Sequence, residues 1–140
     1  MEITRRNALA MGTGAFAFAG LSPFPAFASL ADDAIAALVG NAEFGEGLIN
    51  LIAPEIAENG SAVLIEVSAQ GASSITLFGD GNPEPIIATM NFGPLSPTRG
   101  ASTRVRLHQT QNVIAVAKME NGSWQRASAE VKVTIGGCGG

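Results

Sequence analysis

The hydrophobic period of this chain changes once. In "LADDAIAALVG", Leu30 to Gly40, apolar residues recur at helical spacing and place Leu30, Ala34, Ala37 and Leu38 on one face. Asp32 and Asp33 stand near the end where a helix dipole is positive, and Gly40 supplies a stop. A short amphipathic helix is predicted there. From Leu48 onward the period is two. "VLIEVSA" sets Val63, Ile65 and Val67 against Leu64, Glu66 and Ser68, and "TRVRLH" sets Val105 and Leu107 against Arg104, Arg106 and His108. "AEVKVTI" continues the pattern, with Val131, Val133 and Ile135 inward and Glu130, Lys132 and Thr134 outward.

Four further runs, "LINLIA", "SSITLF", "PIIATMNF" and "NVIAVAKM", bring the predicted strands to seven. Turn-forming clusters separate them at Gly79-Asp80-Gly81-Asn82-Pro83, Gly93-Pro94 and Asn121-Gly122. Strands with one polar face need a second sheet over the other, so the body reads as all-β, an antiparallel immunoglobulin-like β-sandwich. Two runs are apolar on both faces: Ile86, Ile87, Ala88 and Met90, and Val113 to Ala117. Such a strand is either central and covered by the helix or a loop, or it is an interface to a partner subunit.

The 140 residues suit one domain, and an apolar share of 46% against 14% charged supports a hydrophobic core. The net charge of -4 and the lack of a cationic stripe exclude a nucleic-acid surface. Residues 1–28 read as a removable export signal: Arg5 and Arg6, a weakly apolar stretch shorter than the ~20 residues that span a bilayer, then Ala26-Phe27-Ala28 as the cleavage site. The paired arginines and the glycine-diluted stretch match the twin-arginine type, with Leu9 in pattern and Ala8 out of it. An ordinary Sec signal is the alternative, and both routes lead out of the cytoplasm. Gly12-Thr13-Gly14 opens an apparent dinucleotide fingerprint, but no strand precedes it. The organisation expected is therefore a signal over 1–28, a β-sandwich body with its helix over 29–135, and a terminal arm over 136–140.

That arm is "GGCGG", in which Cys138, the sole cysteine, stands between Gly136, Gly137 and Gly139, Gly140. Ordering glycine costs more backbone entropy than ordering any other residue, and no neighbouring side chain can offset it, so a flexible tail is expected. Three residues carry the thiol at most ~10 Å beyond Ile135. No cation, helix terminus or metal ligand stands beside it to lower its pKa. Three readings remain: a covalent carrier whose chemistry is done by other enzymes, a structural β-sandwich whose lone cysteine forms an intermolecular disulfide, and a thiol enzyme acting alone. The last ranks lowest, because it needs a base and an oxyanion site held rigidly near the sulfur, and a glycine arm holds such groups poorly.

The paired-arginine signal, the "LADDAIAALVG" helix, "IAPEIAENGSAV" and above all the terminal "GGCGG" resemble the SoxY family, the sulfur-compound carrier subunits of the periplasmic Sox thiosulfate-oxidation system. The resemblance spans the chain, and its specific part is the terminal motif. It implies a heterodimer with a SoxZ-like subunit and sulfur intermediates held covalently on Cys138, with no other cofactor and no metal. It implies also that the protein is not itself an enzyme. Its transient partners are then a haem enzyme that loads thiosulfate, a hydrolase that releases sulfate and a dehydrogenase that oxidises the remaining sulfane sulfur. The location implied is the periplasm, with no membrane attachment after processing.

Other residues read more plainly. His108 is a surface histidine beside Arg104 and Arg106, which either dock an acidic partner or attract anionic sulfur species. Trp124 is packing. Asp80 and Asn82 begin like a calcium loop but lack its closing glutamate, so they form a turn. Asn121-Gly122-Ser123 matches a glycosylation pattern that has no consequence in a bacterial export protein.

Overall fold

The computed structural model describes residues 26–134. Arg5, Arg6, Ile135, the four tail glycines and Cys138 lie outside the described residues. The elements, in chain order, are α1 (Ala26–Val39), β1 (Phe44–Gly45), β2 (Ile49–Ile52), β3 (Ile56–Ala57), β4 (Val63–Ala69), β5 (Ala72–Gly79), β6 (Ile86–Asn91), β7 (Gly100–Val105), β8 (Gln111–Met119) and β9 (Trp124–Val133). All seven predicted strands form. They build a larger sheet in the order β1-β9-β8-β5-β6, with β3 also on β9, and a smaller sheet in the order β2-β4-β7.

The long pairings are antiparallel, as the alternation requires. The two-residue strands β1 and β3 depart from the expectation, because both run parallel to β9. Too short to carry an apolar period, they nonetheless satisfy the outer edge of β9. Lys132 donates its amide to the Glu55 carbonyl at 2.9 Å, and Thr134 donates to the Ala57 carbonyl at 3.0 Å. β7 also stops at Val105, short of the predicted run, because the Leu107 amide turns to the Gly60 carbonyl at 2.7 Å. Burial still alternates through His108, with Val105 and Leu107 inside and Arg104, Arg106 and His108 outside.

Strand period divides the core in two. Val63, Ile65, Val67 and Ala69 of β4 face Ile75 and Leu77 of β5, Val113, Ala115 and Ala117 of β8, and Val131 of β9, filling the space between the sheets. The alternate residues Phe78, Ile114 and Val116 point the other way and pack with Ile35 of α1, flanked by Ala34, Val39, Phe44 and Trp124. The doubly apolar run of β8 is thus explained by the helix that covers it. β6 is different: it is the sheet's edge, and Ile86 is 55% exposed.

α1 corrects two expectations. Its buried stripe is Ala31, Ile35 and the half-buried Ala34 and Val39, while Leu30 and Leu38 are 42% and 43% exposed and Ala37 faces solvent. Both stripes obey helical spacing. The alanine at 31 lets the helix lie close to the sheet, and the branched Ile35 then meets Phe78. The helix also begins a turn before Leu30, so Asp32 and Asp33 are not in its first turn. Ala26 and Ala28, the expected cleavage positions, fall inside that first turn. The predicted stop holds: Gly40 adopts φ of 73° and donates to the Ala36 carbonyl at 2.8 Å.

Candidate functional site

The site is built from the end of the sandwich where β9 finishes. Gln111 of β8 pairs with Val131, and the Val133 amide donates to Thr110 Oγ1 at 3.0 Å. At the same end lie the last residues of β5 and β7 and the first residues of β4, β6 and β8, since Gly79 pairs with Val113, Phe78 with Ile86 and Val63 with Val105. The chain therefore leaves its last described residue, Thr134, at one defined pole. Cys138 follows four residues later in sequence, outside the described part.

Buried amides brace this pole. Asn82 is 5% exposed; its Nδ2 donates to the Arg106 carbonyl at 2.9 Å, and its Oδ1 accepts from the His108 amide at 3.0 Å and from Gln111 Nε2 at 2.8 Å. Gln111 Oε1 in turn accepts from the Gly81 amide at 3.0 Å. Asp80 accepts from the Asn112 amide at 2.8 Å and from Asn112 Nδ2 at 2.9 Å, so both its oxygens are engaged. The predicted turn at Gly79–Pro83 is thus a structural strut rather than a cation loop. Glycine is required in it, because a Cβ on Gly79 would stand 2.5 Å from Gln111 Oε1 and one on Gly81 would stand 2.8 Å from Gln111 Cβ. Among the described residues no group of His, Cys, Asp or Glu is placed to hold a metal ion.

The strut forms one wall of a groove of about 500 Å³ between the edges of the two sheets. Asn82, Pro83, Glu84, Ile86 and Ile87 line one side; Arg104, Val105, Arg106 and His108 line the other. The structure therefore brings Arg104, Arg106 and His108 together, as their spacing implied, and sets them at the pole from which the tail continues. The groove's lining holds no serine, threonine or cysteine beside His108. The strut itself was not foreseen, although the paired Asn/Asp and Gly residues of the turn are the signal that marks it.

At the opposite pole the chain uses an arginine differently. Arg99 donates through Nη1 to the carbonyls of Ala72 at 3.2 Å and Phe92 at 3.3 Å, and through Nη2 to Glu120 Oε1 at 2.9 Å. Trp124 packs in the cluster beneath α1, with Lys118 Nζ 5.9 Å above its ring, as the packing reading expected.

Comparison with known proteins follows the same geometry. The solved structure of the sulfur carrier protein SoxY from Chlorobium limicola f thiosulfatophilum is 40% identical, with a TM-score of 0.66, and covers 77% of this chain and 99% of its own. The superoxide reductase (neelaredoxin) from Ignicoccus hospitalis shares the sandwich at 17% identity and a TM-score of 0.55, over 63% of this chain and 81% of its own, a likeness of fold. No curated protein sequence matches significantly. The family described as "Sulfur oxidation protein SoxY" matches residues 35–138, a span that takes in α1 from Ile35, the whole sandwich and the lone cysteine. On these grounds the chain belongs to the SoxY family of sulfur oxidation proteins.

Proposed function

We propose that this protein is a sulfur carrier of a periplasmic Sox-type system and that Cys138 is its attachment point. The observation that carries the reading is that the family match runs to residue 138 and so takes in the lone cysteine. The relative with a solved structure is described as a sulfur carrier protein. Loading is an oxidative coupling: the Cys138 thiol and the sulfane sulfur of thiosulfate form an S–S bond, releasing one proton and two electrons to a haem partner. Water then cleaves the outer bond, sulfate leaves, and a persulfide stays on the cysteine. A dehydrogenase oxidises the sulfane sulfur that remains. The anchor is conserved throughout, which is what a carrier needs and an enzyme active site does not.

The protein works in this scheme as a heterodimer with a SoxZ-like subunit. The edge strand β6, with Ile86 exposed, leaves apolar area available for such a partner. Arg5 and Arg6 direct export by the twin-arginine route, with cleavage after Ala28. Among the described residues no helix is long and apolar enough to cross a membrane.

Mass spectrometry of the protein isolated from cells grown on thiosulfate tests the reading: sulfur or sulfonate adducts on Cys138 are expected. A uniform disulfide dimer without adducts would support a linking role instead. Cys138→Ser is expected to retain fold and partner binding and to abolish turnover in the reconstituted system; undiminished turnover overturns the proposal.

A further inference from the structure

The described part of the chain holds six lysines and arginines, and their positions differ in kind. Arg99 is paired with Glu120, Lys118 lies over Trp124, and Arg126 lies 5.7 Å from the Phe44 ring. Lys132, on β9, has no ion pair or ring contact among the described residues. The remaining two, Arg104 and Arg106, share one groove with His108, the only histidine in the protein. Among the described residues neither guanidinium has a carboxylate within ion-pair distance. Glu84 is the one acidic residue lining the groove, set on the opposite wall, and Glu66 lies diagonally across the sheet from Arg104, out of ion-pair reach. In a protein of net charge -4 this local excess of positive charge runs against the global balance.

The backbone beneath these cations is held firmly. Val105 and Leu107, the inward neighbours, are buried in the core, and the Arg106 carbonyl and His108 amide are both tied to Asn82. Residues two apart on an extended chain are separated by about 6.5–7 Å on one face. That spacing lets two guanidinium forks approach one tetrahedral anion from either side, each donating two hydrogen bonds. We propose that the groove between β6 and β7 binds a small tetrahedral oxyanion, held by Arg104 and Arg106 with His108 at its margin.

The groove's own chemistry sets the ligand class; the assignment to sulfur oxyanions rests on the carrier reading. Two sources offer the same group: free sulfate or thiosulfate, and the sulfonate end of cargo attached to Cys138. The second is within reach. Val133 is hydrogen-bonded to Thr110, two residues from His108, and the five residues from Thr134 to Cys138 can span up to ~17 Å.

The test separates these sources. In the first arm, full-length protein carrying Cys138→Ser is titrated with sodium sulfate and with thiosulfate at constant ionic strength, following the arginine Nε and His108 imidazole resonances. Saturable shifts absent with chloride are expected, weakened at least about tenfold by Arg104→Gln with Arg106→Gln and unaffected by Lys132→Gln. In the second arm the unsubstituted protein reacts with tetrathionate: the thiolate displaces thiosulfate and retains an S-thiosulfonate. The same resonances are read after free anion is removed. Shifts in this arm alone assign the groove to tethered cargo, and shifts in the first arm assign it to the free anion; either supports the proposal. Failure to load Cys138 would count against the carrier reading and leaves the first arm to decide the groove. No saturable shift in a loaded protein and in the first arm, shifts equal to those with chloride, or shifts unchanged by the double substitution overturn it. A response only to an acidic protein also overturns it, in favour of a docking surface.

Discussion

The two poles of the sandwich both carry arginines on or beside β7, and they use them in opposite ways. At the far pole Arg99 is 16% exposed and has three acceptors, two carbonyls and a carboxylate, so its charge is consumed in closing the β6–β7 connection. That connection presents Leu95, 95% exposed, at its tip. At the tail pole Arg104 and Arg106 point into an open groove, and the bracing is done by the neutral amides of Asn82 and Gln111. The lesson is that residue type does not decide role. An arginine backed by carbonyls and an acid is a clamp, whereas one whose backbone is braced by other groups keeps its charge available for a ligand.

Substitutions at the two ends sharpen this contrast. The largest stability effect is expected from Asn82→Ala at the tail pole. It strips partners from the His108 amide, the Arg106 carbonyl and Gln111 together, and should cost about 3 kcal/mol by denaturant unfolding. A loss below about 1 kcal/mol would show that the amides do not brace this end. Next comes Arg99→Ala, at about 1–3 kcal/mol, because two backbone carbonyls lose a donor at a mostly buried site. Glu120→Gln at the same clamp should cost less than about 1 kcal/mol, since Glu120 is 59% exposed and its share of the ion pair is screened. If it matched Arg99→Ala, the carboxylate and not the carbonyls would hold the clamp. The smallest effect belongs to Arg104→Gln with Arg106→Gln, within about 0.5 kcal/mol, because neither side chain has a partner to lose among the described residues. A marked loss of stability there would mean that these arginines, too, are structural.

Much of this organisation was legible from local pattern. β4 could be read residue by residue, because a side-chain period of two over seven positions leaves one consistent assignment of faces. Gly40 was readable as a helix stop, since a left-handed residue after a helix favours glycine. β1 and β3 were not legible, because two residues carry no period and only their pairing with β9 defines them. Nor was the face of α1: Leu30/Ala34/Ala37/Leu38 and Ala31/Ile35/Val39 are both well-spaced stripes, and the shape of the surface under the helix selects between them. The grouping of Arg104, Arg106 and His108 followed from their alternation, but the wall that faces them comes from residues some twenty positions earlier.

Periodicity, turn chemistry and the terminal motif were by themselves sufficient for the sandwich class, the strand count apart from the two shortest pairings, and the family, since each depends on residues close together in the chain. Tertiary structure alone decided which stripe of the helix is buried, that Asn82 and Gln111 meet across 29 positions, and that the cationic groove opens at the pole where β9 ends. The physical reason is that local sterics and alternation act between neighbours, while burial, amide bracing and the groove that Arg104 and Arg106 line exist only once distant strands have been packed together.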